Sequence, residues 1–325
     1  MFANARRTLN LLLANPERLH LTIPANCPLC NADKKAQKVV TRHVYGDRYK
    51  KSAFFHCRHC DVRYQYPGLT PEEEAKFYSA EFEGFMEGRS GASGGWQGCE
   101  SHIKANEPTR IRRMKYVSFH LPQNASVLEV GCSSGFMLYP LMKNGHTCVG
   151  VEPSGLFGDF VRQQGIQVYS SIEKLVLESP KRQFDFIQHF FVLEHISKPL
   201  QFLKSLLDLL RPSGKLVFEI PNVADPLHSV YDIPAFERFY WSVAHPWYFS
   251  EKSLRFLLDQ LGASYEIEFD QRYDLSNHLI WARDGKPGGM DRFSKIFGPE
   301  LNNFYKQTLI REGKCDTLIG IITKG

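Results

Sequence analysis

The sequence predicts a doubly wound α/β protein of seven strands preceded by a small cysteine-held module, and three observations carry that prediction. Short apolar runs alternate, from about residue 127 onward, with stretches of helical apolar spacing. V-L-E-V-G-C-S-S-G-F at 127–136 is followed by V-G-V-E-P-S at 149–154. A glycine-rich turn and an acidic strand end about twenty residues apart are the layout of a nucleoside-binding βαβ unit. Finally, four of the eight cysteines form the pairs C-P-L-C (27–30) and C-R-H-C (57–60).

Length and charge fit this organisation. A chain of 325 residues accommodates a core domain of about 200 residues plus an accessory module. With 40 Lys and Arg against 35 Asp and Glu, the formal charge is +5. That balance permits an anionic substrate but lacks the dense basic stripe of a dedicated nucleic-acid binder, so nucleic acid is an unlikely partner. The apolar run at 9–14 is too short for a signal segment or a membrane span, and a cytoplasmic location is expected.

Taken in order, residues 1–23 read as a helical leader limited by Pro16 and Pro24. Residues 24–66 read as a zinc ribbon, in which Cys27, Cys30, Cys57 and Cys60 present four thiolates to one structural Zn²⁺ and leave no coordination position open. Two disulfides, or a redox pair, are the alternatives; a reducing compartment disfavours the first, and the lack of a βαβ setting the second. His56 and His59 read as solvated neighbours, and the ribbon is expected to have a core of its own. Residues 67–118 form a helical linker or lid. Pro67-Gly68 marks a turn, Thr70 caps a helix with Pro71 at its first position, and acidic residues follow where they complement the helix dipole. The aromatic stretch from Phe77 to the Gly-Ser-rich segment is either a lid over the cofactor or packing between the two modules. Arg110, Arg112, Arg113 and Lys115 read as a solvated helix face.

Residues 119–325 hold the α/β domain, with strands expected at 127–130, 147–151, 167–169, 184–189, 215–220, 264–281 and 316–324, and helices including 137–144 and 199–210. A substrate insert, or a plain surface loop, lies at about 270–312. Gly131 and Gly135 remove the Cβ atoms that would hold a ligand away from the backbone. Glu152 is placed to accept hydrogen bonds from both ribose hydroxyls. Glu129, just before a loop shorter than G-x-G-x-x-G, suits the ammonium of a methionine moiety and would repel a dinucleotide pyrophosphate. S-adenosylmethionine (SAM) is therefore the expected cofactor, with Cys132, Ser133, Pro153, Ser171, His189 and Phe190 at the same strand ends, and Asn222 nearby.

The chain resembles the class I SAM-dependent methyltransferases in these segments and in F-D-F-I-Q-H-F-F-V-L-E-H-I (184–196), L-L-R-P-S-G-K-L-V-F-E-I-P-N (209–222) and H-P-W-Y-F-S-E-K-S-L-R-F-L-L-D-Q-L-G (245–262). The resemblance implies a Rossmann-like seven-stranded methyltransferase sheet. A ribbon before such a domain is similar to the zinc-containing sugar C-methyltransferases of bacterial deoxysugar pathways, which implies His245 as general base; packing against Trp247 and Tyr248 is the structural alternative. The tyrosine and glutamate looked for three and one residues before that histidine are Ser242 and Ala244 here, which leaves O-methylation open beside C-methylation. In L-E-H-I, Glu194 and His195 would lie near the methionine end of SAM, and Glu219 near substrate. The implied reaction is methyl transfer to a small-molecule or carbohydrate acceptor, a nucleotide-linked or surface-polysaccharide sugar, by a route that needs no metal. Two alternatives remain. One is an RNA methyltransferase with a zinc-finger reader, for which Lys34, Lys35, Lys38, Arg48, Lys50 and Lys51 supply basic residues; the other is a non-catalytic SAM-binding protein.

Overall fold

The computed structural model describes residues 21–48, 51–90 and 95–325, so the expected leader at 1–23 lies almost wholly outside the described residues. Two sheets organise the chain. The first begins as the antiparallel strands β1 (Gln37–Thr41), β2 (Ala53–Cys57) and β3 (Arg63–Tyr66). Its fourth strand, β9 (Trp247–Tyr248), comes from the other end of the chain and pairs Arg63 with Tyr248 and Tyr64 with Trp247.

The second sheet has seven strands: β4 (Ser126–Val130), β5 (Thr147–Val151), β6 (Gln167–Tyr169), β7 (Phe184–Phe190), β8 (Leu210–Pro221), β10 (Ser264–Asp270) and β11 (Thr317–Thr323). Their order is β10-β11-β8-β7-β4-β5-β6, parallel from β8 to β6 and antiparallel at β11 and β10. Strand order reverses between β4 and β7, and ligands of such sheets bind beyond the carboxyl ends at that switch point.

In chain order the helices are α1 (Pro71–Lys76), α2 (Phe82–Ser90), α3 (Cys99–Ala105), α4 (Glu107–His120), α5 (Leu138–Lys143), α6 (Gly155–Gln163), α7 (Ile172–Glu178), α8 (Pro199–Leu209), α9 (Pro226–Ser229), α10 (Pro234–Tyr240), α11 (Glu251–Leu258), α12 (Leu275–Asp284) and α13 (Ser294–Arg311). Thr70 caps α1 with a reciprocal box: its hydroxyl accepts from Glu73 N at 3.3 Å, and its own N–H donates to Glu73 Oε2 at 2.8 Å.

Three expectations change here. The strand expected at 264–281 ends at Asp270, and 275–284 is helical because Asp274 accepts from Asn277 N at 2.8 Å and Gly285 closes the helix at φ 64°. The expected solvated basic face of α4 is instead partly interior. Arg113 donates to Glu219 at 2.7 Å, and Arg112 bridges Glu219 and Asp270. The ribbon does not have a separate core: Cys27, Phe55 and Tyr64 share one buried cluster with Leu128, Leu193 and Trp247.

Candidate active site

The four ribbon cysteines sit at two similar turns. Cys27 O accepts from Asn31 N at 2.9 Å and Cys57 O from Asp61 N at 2.8 Å. Asn31 and Asp61 follow the second cysteine of each pair with φ 59° and 67°, the left-handed conformation that Asn and Asp tolerate best among residues with side chains. These turns bring all four sulfur atoms within 4.8 Å of one another, with Cys27 Sγ 3.7 Å from Cys60 Sγ and Cys30 Sγ 3.6 Å from Cys57 Sγ. Such spacings are too long for disulfides and match the ~3.8 Å edge of a tetrahedron with ~2.3 Å Zn–S bonds. Leu29 N donates to Cys27 Sγ, and Gln37 Nε2 lies 3.8 Å from Cys57 Sγ. His56 is bonded to Asp61 at 2.8 Å, and the close donor cluster consists of the four cysteines.

At the switch point, the turn after β4 is shaped for a close ligand approach. Gly131 and Gly135 both have φ 72°, and a Cβ on Gly131 would lie 2.7 Å from Val192 Cγ2. Glu152, buried at the end of β5, accepts from Ser133 N at 2.7 Å and from Ser154 N at 2.9 Å. Each carboxylate oxygen keeps a further lone pair, and burial raises its pKa. Ser133 Oγ is buried with no partner among the described residues, as a polar ligand at this turn requires. Glu129 is buried beside Gln188, whose Nε2 donates to it at 3.1 Å, and desolvation carries its pKa up to about 8. Phe190 lies under the Arg113 guanidinium at 4.3 Å. Cys132 points into the core against Gly150 and contributes only backbone to the turn. Pro153 is exposed, and Ser171 caps α7 by accepting from Lys174 N at 3.2 Å.

His189 is the expected cofactor residue that the geometry turns away. Val130 and His189 are register partners, as are Glu129 and Gln188, so the two β7 residues face opposite sides of the sheet. His189 stacks on Phe218 at 5.0 Å and meets Phe202 of α8, and burial without a partner lowers its pKa to about 3. Gln188 takes the position beside Glu129. The β4–β7 register that pairs it with Glu129 spans 59 residues and has no local sequence signal.

The segment before α4 covers this end of the sheet. Glu83 of α2 accepts from the Ser154 hydroxyl next to Glu152. Trp96 meets His102 at 4.9 Å and Phe157 at 5.8 Å, and His102 Nδ1 bonds Ser134 Oγ at 2.9 Å. Sequence reasoning missed His102 and Ser134, whose partnership spans 32 residues.

Just past β7, the turn containing Val192 leads into a short 3₁₀ segment, Leu193–His195. Glu194 is 1 % exposed, and neither carboxylate oxygen has a partner among the described residues; burial raises its pKa to about 8. His195 and His245 meet edge to face at 4.6 Å. Both are held below the ordinary histidine range by burial, His195 at about 4. His195 Nδ1 lies 2.6 Å from Ala244 O and 3.1 Å from Tyr78 Oη. A carbonyl only accepts, so Nδ1 carries the proton and Nε2 the lone pair. His245 Nδ1 is buried without a partner among the described residues. His245 is therefore not fully engaged by packing, although Tyr248 lies 5.5 Å from it. A cavity of about 190 Å³, bordered by Tyr64, Tyr66, Tyr78, Pro246 and Trp247, reaches His195 from the ribbon side.

Glu219, expected near substrate, lies at 0 % exposure between Arg112 and Arg113, whose charges hold its pKa down. Its lone pairs are committed to these ion pairs, so it is not available as a base. Asn222 is committed as well, donating to Cys315 O at 2.9 Å while its side-chain oxygen accepts from Ala224 N at 3.0 Å. Between β10 and β11, the expected insert is two helices, α12 and α13. Within it His278 Nδ1 bonds Tyr305 Oη at 2.5 Å and Asn277 donates to Gly288 O at 2.7 Å.

Residues 105–266 match the family model described as a methyltransferase domain. The chain is 30% identical over 116 residues to a ubiquinone biosynthesis O-methyltransferase of Coxiella burnetii, covering 34% of this chain and 50% of that protein. It is 33% identical over 105 residues to a tRNA U34 carboxymethyltransferase of Pseudoalteromonas atlantica, covering 30% and 32%. Among solved structures, a SAM-dependent methyltransferase from Archaeoglobus fulgidus aligns with TM-score 0.48 at 19% identity over 75% of this chain and all of that one. The chain spans about half the length or less of these curated relatives.

Proposed function

Starting from a chain that carries a class I SAM-dependent methyltransferase domain, we propose that it transfers the methyl group of SAM to an oxygen or carbon of a small acceptor, a sugar by its resemblance. The observation that carries this reading is the contact of Val192 with the Gly131 turn. Val192 lies two residues before Glu194, which supports a place near the cofactor turn for the Glu194, His195 and His245 cluster. When bound, SAM supplies an electrophilic methyl group on its sulfonium, whose carbon–sulfur bond breaks toward sulfur as the new bond forms. Glu152 would hold the ribose hydroxyls and Glu129 the ammonium. The cavity that ends at His195 would align the acceptor, and alignment contributes most of the rate in such a displacement.

His245 offers an imidazole lone pair to the acceptor proton. Its depressed pKa keeps it deprotonated at neutrality, so the rate should be flat near pH 7 and fall only on the acid side. That departs from a rate rising through neutrality, which an unperturbed histidine would give. At about 190 Å³ the cavity is smaller than the ~300–1,000 Å³ of drug-sized sites, which favours one small moiety over a folded nucleic acid. Exposed Lys34, Lys35 and Lys38 form the basic edge of the ribbon, but Lys51 is paired with Glu73 at 2.8 Å. The four cysteines would hold a structural Zn²⁺ that shapes the ribbon wall of the acceptor cavity.

Incubation with methyl-labelled SAM and nucleotide sugars, free oligosaccharides or tRNA tests the reading. Label in a sugar fraction supports it, label in tRNA alone replaces it with the RNA reading, and SAM binding without transfer to any acceptor class favours a non-catalytic binder.

A further inference from the structure

We propose that Glu194, His195 and His245 form a second metal site, distinct from the cysteine cluster, that binds a divalent cation next to the cavity lined by His195. The site deepens the methyl-transfer reading, on which its role but not its existence rests. One donor atom from each of the three residues lies within 4.8 Å of the others. The set of two imidazoles and one carboxylate is a recurrent facial arrangement for first-row divalent cations, and it leaves coordination positions open.

Orphaned groups supply the second observation. A buried polar atom without a partner costs about 1–3 kcal/mol, yet both Glu194 oxygens and His245 Nδ1 lack partners among the described residues. Arginines near Glu194 do not pair with it: Arg113 is committed to Glu219 and Arg272 to Asp316. His195 is prepared as a ligand by its other nitrogen. Donation of Nδ1–H to Ala244 O fixes the tautomer and aims an Nε2 lone pair, and metal-bound histidines are oriented by this kind of bond. Tyr78 Oη, 3.1 Å from the same carbonyl, braces the arrangement.

Position gives the cation its use. Val192, two residues before Glu194, packs at the Gly131 turn, and His195 also lines the cavity bordered by Tyr78 and Pro246. An acceptor hydroxyl entering by that route would take an open coordination position, where the cation weakens its O–H bond. Its proton leaves to water in the cavity, the oxygen keeps the electron pair, and no redox change occurs. With a cation bound, His245 is a ligand; without one, it remains the base. On this proposal the chemistry would use a metal, where the sequence led to none being expected.

The test uses full-length protein with zinc-loaded cysteines, titrated with Mn²⁺ by electron paramagnetic resonance and with Co²⁺ by its optical spectrum. The expected result is one further cation per chain, with affinity at least 10-fold weaker in Glu194→Gln and in His245→Ala, while SAM affinity by calorimetry stays within 3-fold. Two separate variants guard against one that fails to fold. SAM-competent wild-type protein that takes up neither cation overturns the site and leaves His245 as base. Wild-type affinity in both folded variants also overturns it. Cation uptake by a protein that does not bind SAM would instead overturn the methyl-transfer reading and keep the metal site.

Discussion

Replacing Glu152 by alanine should separate what the carboxylate does for the cofactor from what it does for the turn. In the folded chain its two oxygens accept the N–H groups of Ser133 and Ser154 at 2.7 and 2.9 Å. Ser133 is itself held at φ 49°, a conformation unfavourable for a residue with a side chain. Truncation therefore removes two charge-assisted bonds that fix this turn, at a cost to stability of about 1–3 kcal/mol. Loss of the ribose contacts should weaken SAM by about 1.5–3 kcal/mol more, roughly 10–150-fold in Kd. Calorimetric titration with SAM and with S-adenosylhomocysteine, beside urea denaturation of both proteins, measures the two effects separately. Unchanged cofactor affinity in a folded variant would refute the assignment of Glu152 to the ribose. Lost affinity with no stability change would refute the turn-fixing role.

Stripping the metal, or changing Cys27 and Cys57 to serine, should lower the melting temperature of the whole molecule, because the ribbon shares its core and β9 with the catalytic domain; proteolytic release of 24–66 with an unchanged melting temperature for the remainder would count against this. His189→Phe should keep SAM affinity and match or exceed wild-type stability by about 1 kcal/mol, since it removes two unpartnered ring nitrogens from an aromatic stack; weakened SAM binding would return His189 to the cofactor site. Between about pH 6.5 and 8 the stability of the cofactor-free protein should fall. Glu129, with its pKa raised to about 8, keeps a proton that the unfolded chain has lost, so its stabilising protonation is given up as pH rises. Below that window, the depressed His102 and His195, both at about 4, oppose it by making stability rise with pH. Denaturation of wild type and Glu129→Gln at several pH values should show a shallower decline in the variant.

The legible parts of the fold were those set by local pattern. Strands at 147–151 and 167–169 coincide with their expected bounds because each follows a helix-ending glycine, Gly145 or Gly165, and is closed by polar residues, Glu152 or Ser170-Ser171. Residues 275–281 were read as strand because L-S-N-H-L-I-W continues the apolar tone of β10. Asp274 and Gly285 carried the helix signal, and it lay outside the apolar run itself. At the candidate site, Glu129, Gly131, Gly135 and Glu152 could be singled out together because they belong to one contiguous βαβ unit, which the structure forms as β4, α5 and β5. Glu219 was misread for the opposite reason: the arginines that neutralise it are 106 and 107 residues away in sequence, and isolated positions do not reveal such pairs.

The cluster of Glu194, His195 and His245 shows most clearly why the candidate site was only half visible in the sequence. His195 and His245 could each be singled out, one from L-E-H-I and the other from its aromatic setting, but nothing local states that they meet. What joins them is β9, a two-residue strand too short for any periodicity, held on one side by the ribbon strand β3. Trp247 Nε1 then donates to Ile196 O at 3.0 Å, and Ala244 O accepts from His195. The ribbon is thus linked structurally to this cluster: its cysteines sit at the turns before β1 and between β2 and β3, and β3 pairs with β9 next to the segment that brings His245 to Glu194 and His195. A cysteine substitution distant from the cofactor should for this reason disturb the acceptor cluster before it disturbs SAM, whose turn is pinned independently by Glu152 and Val192.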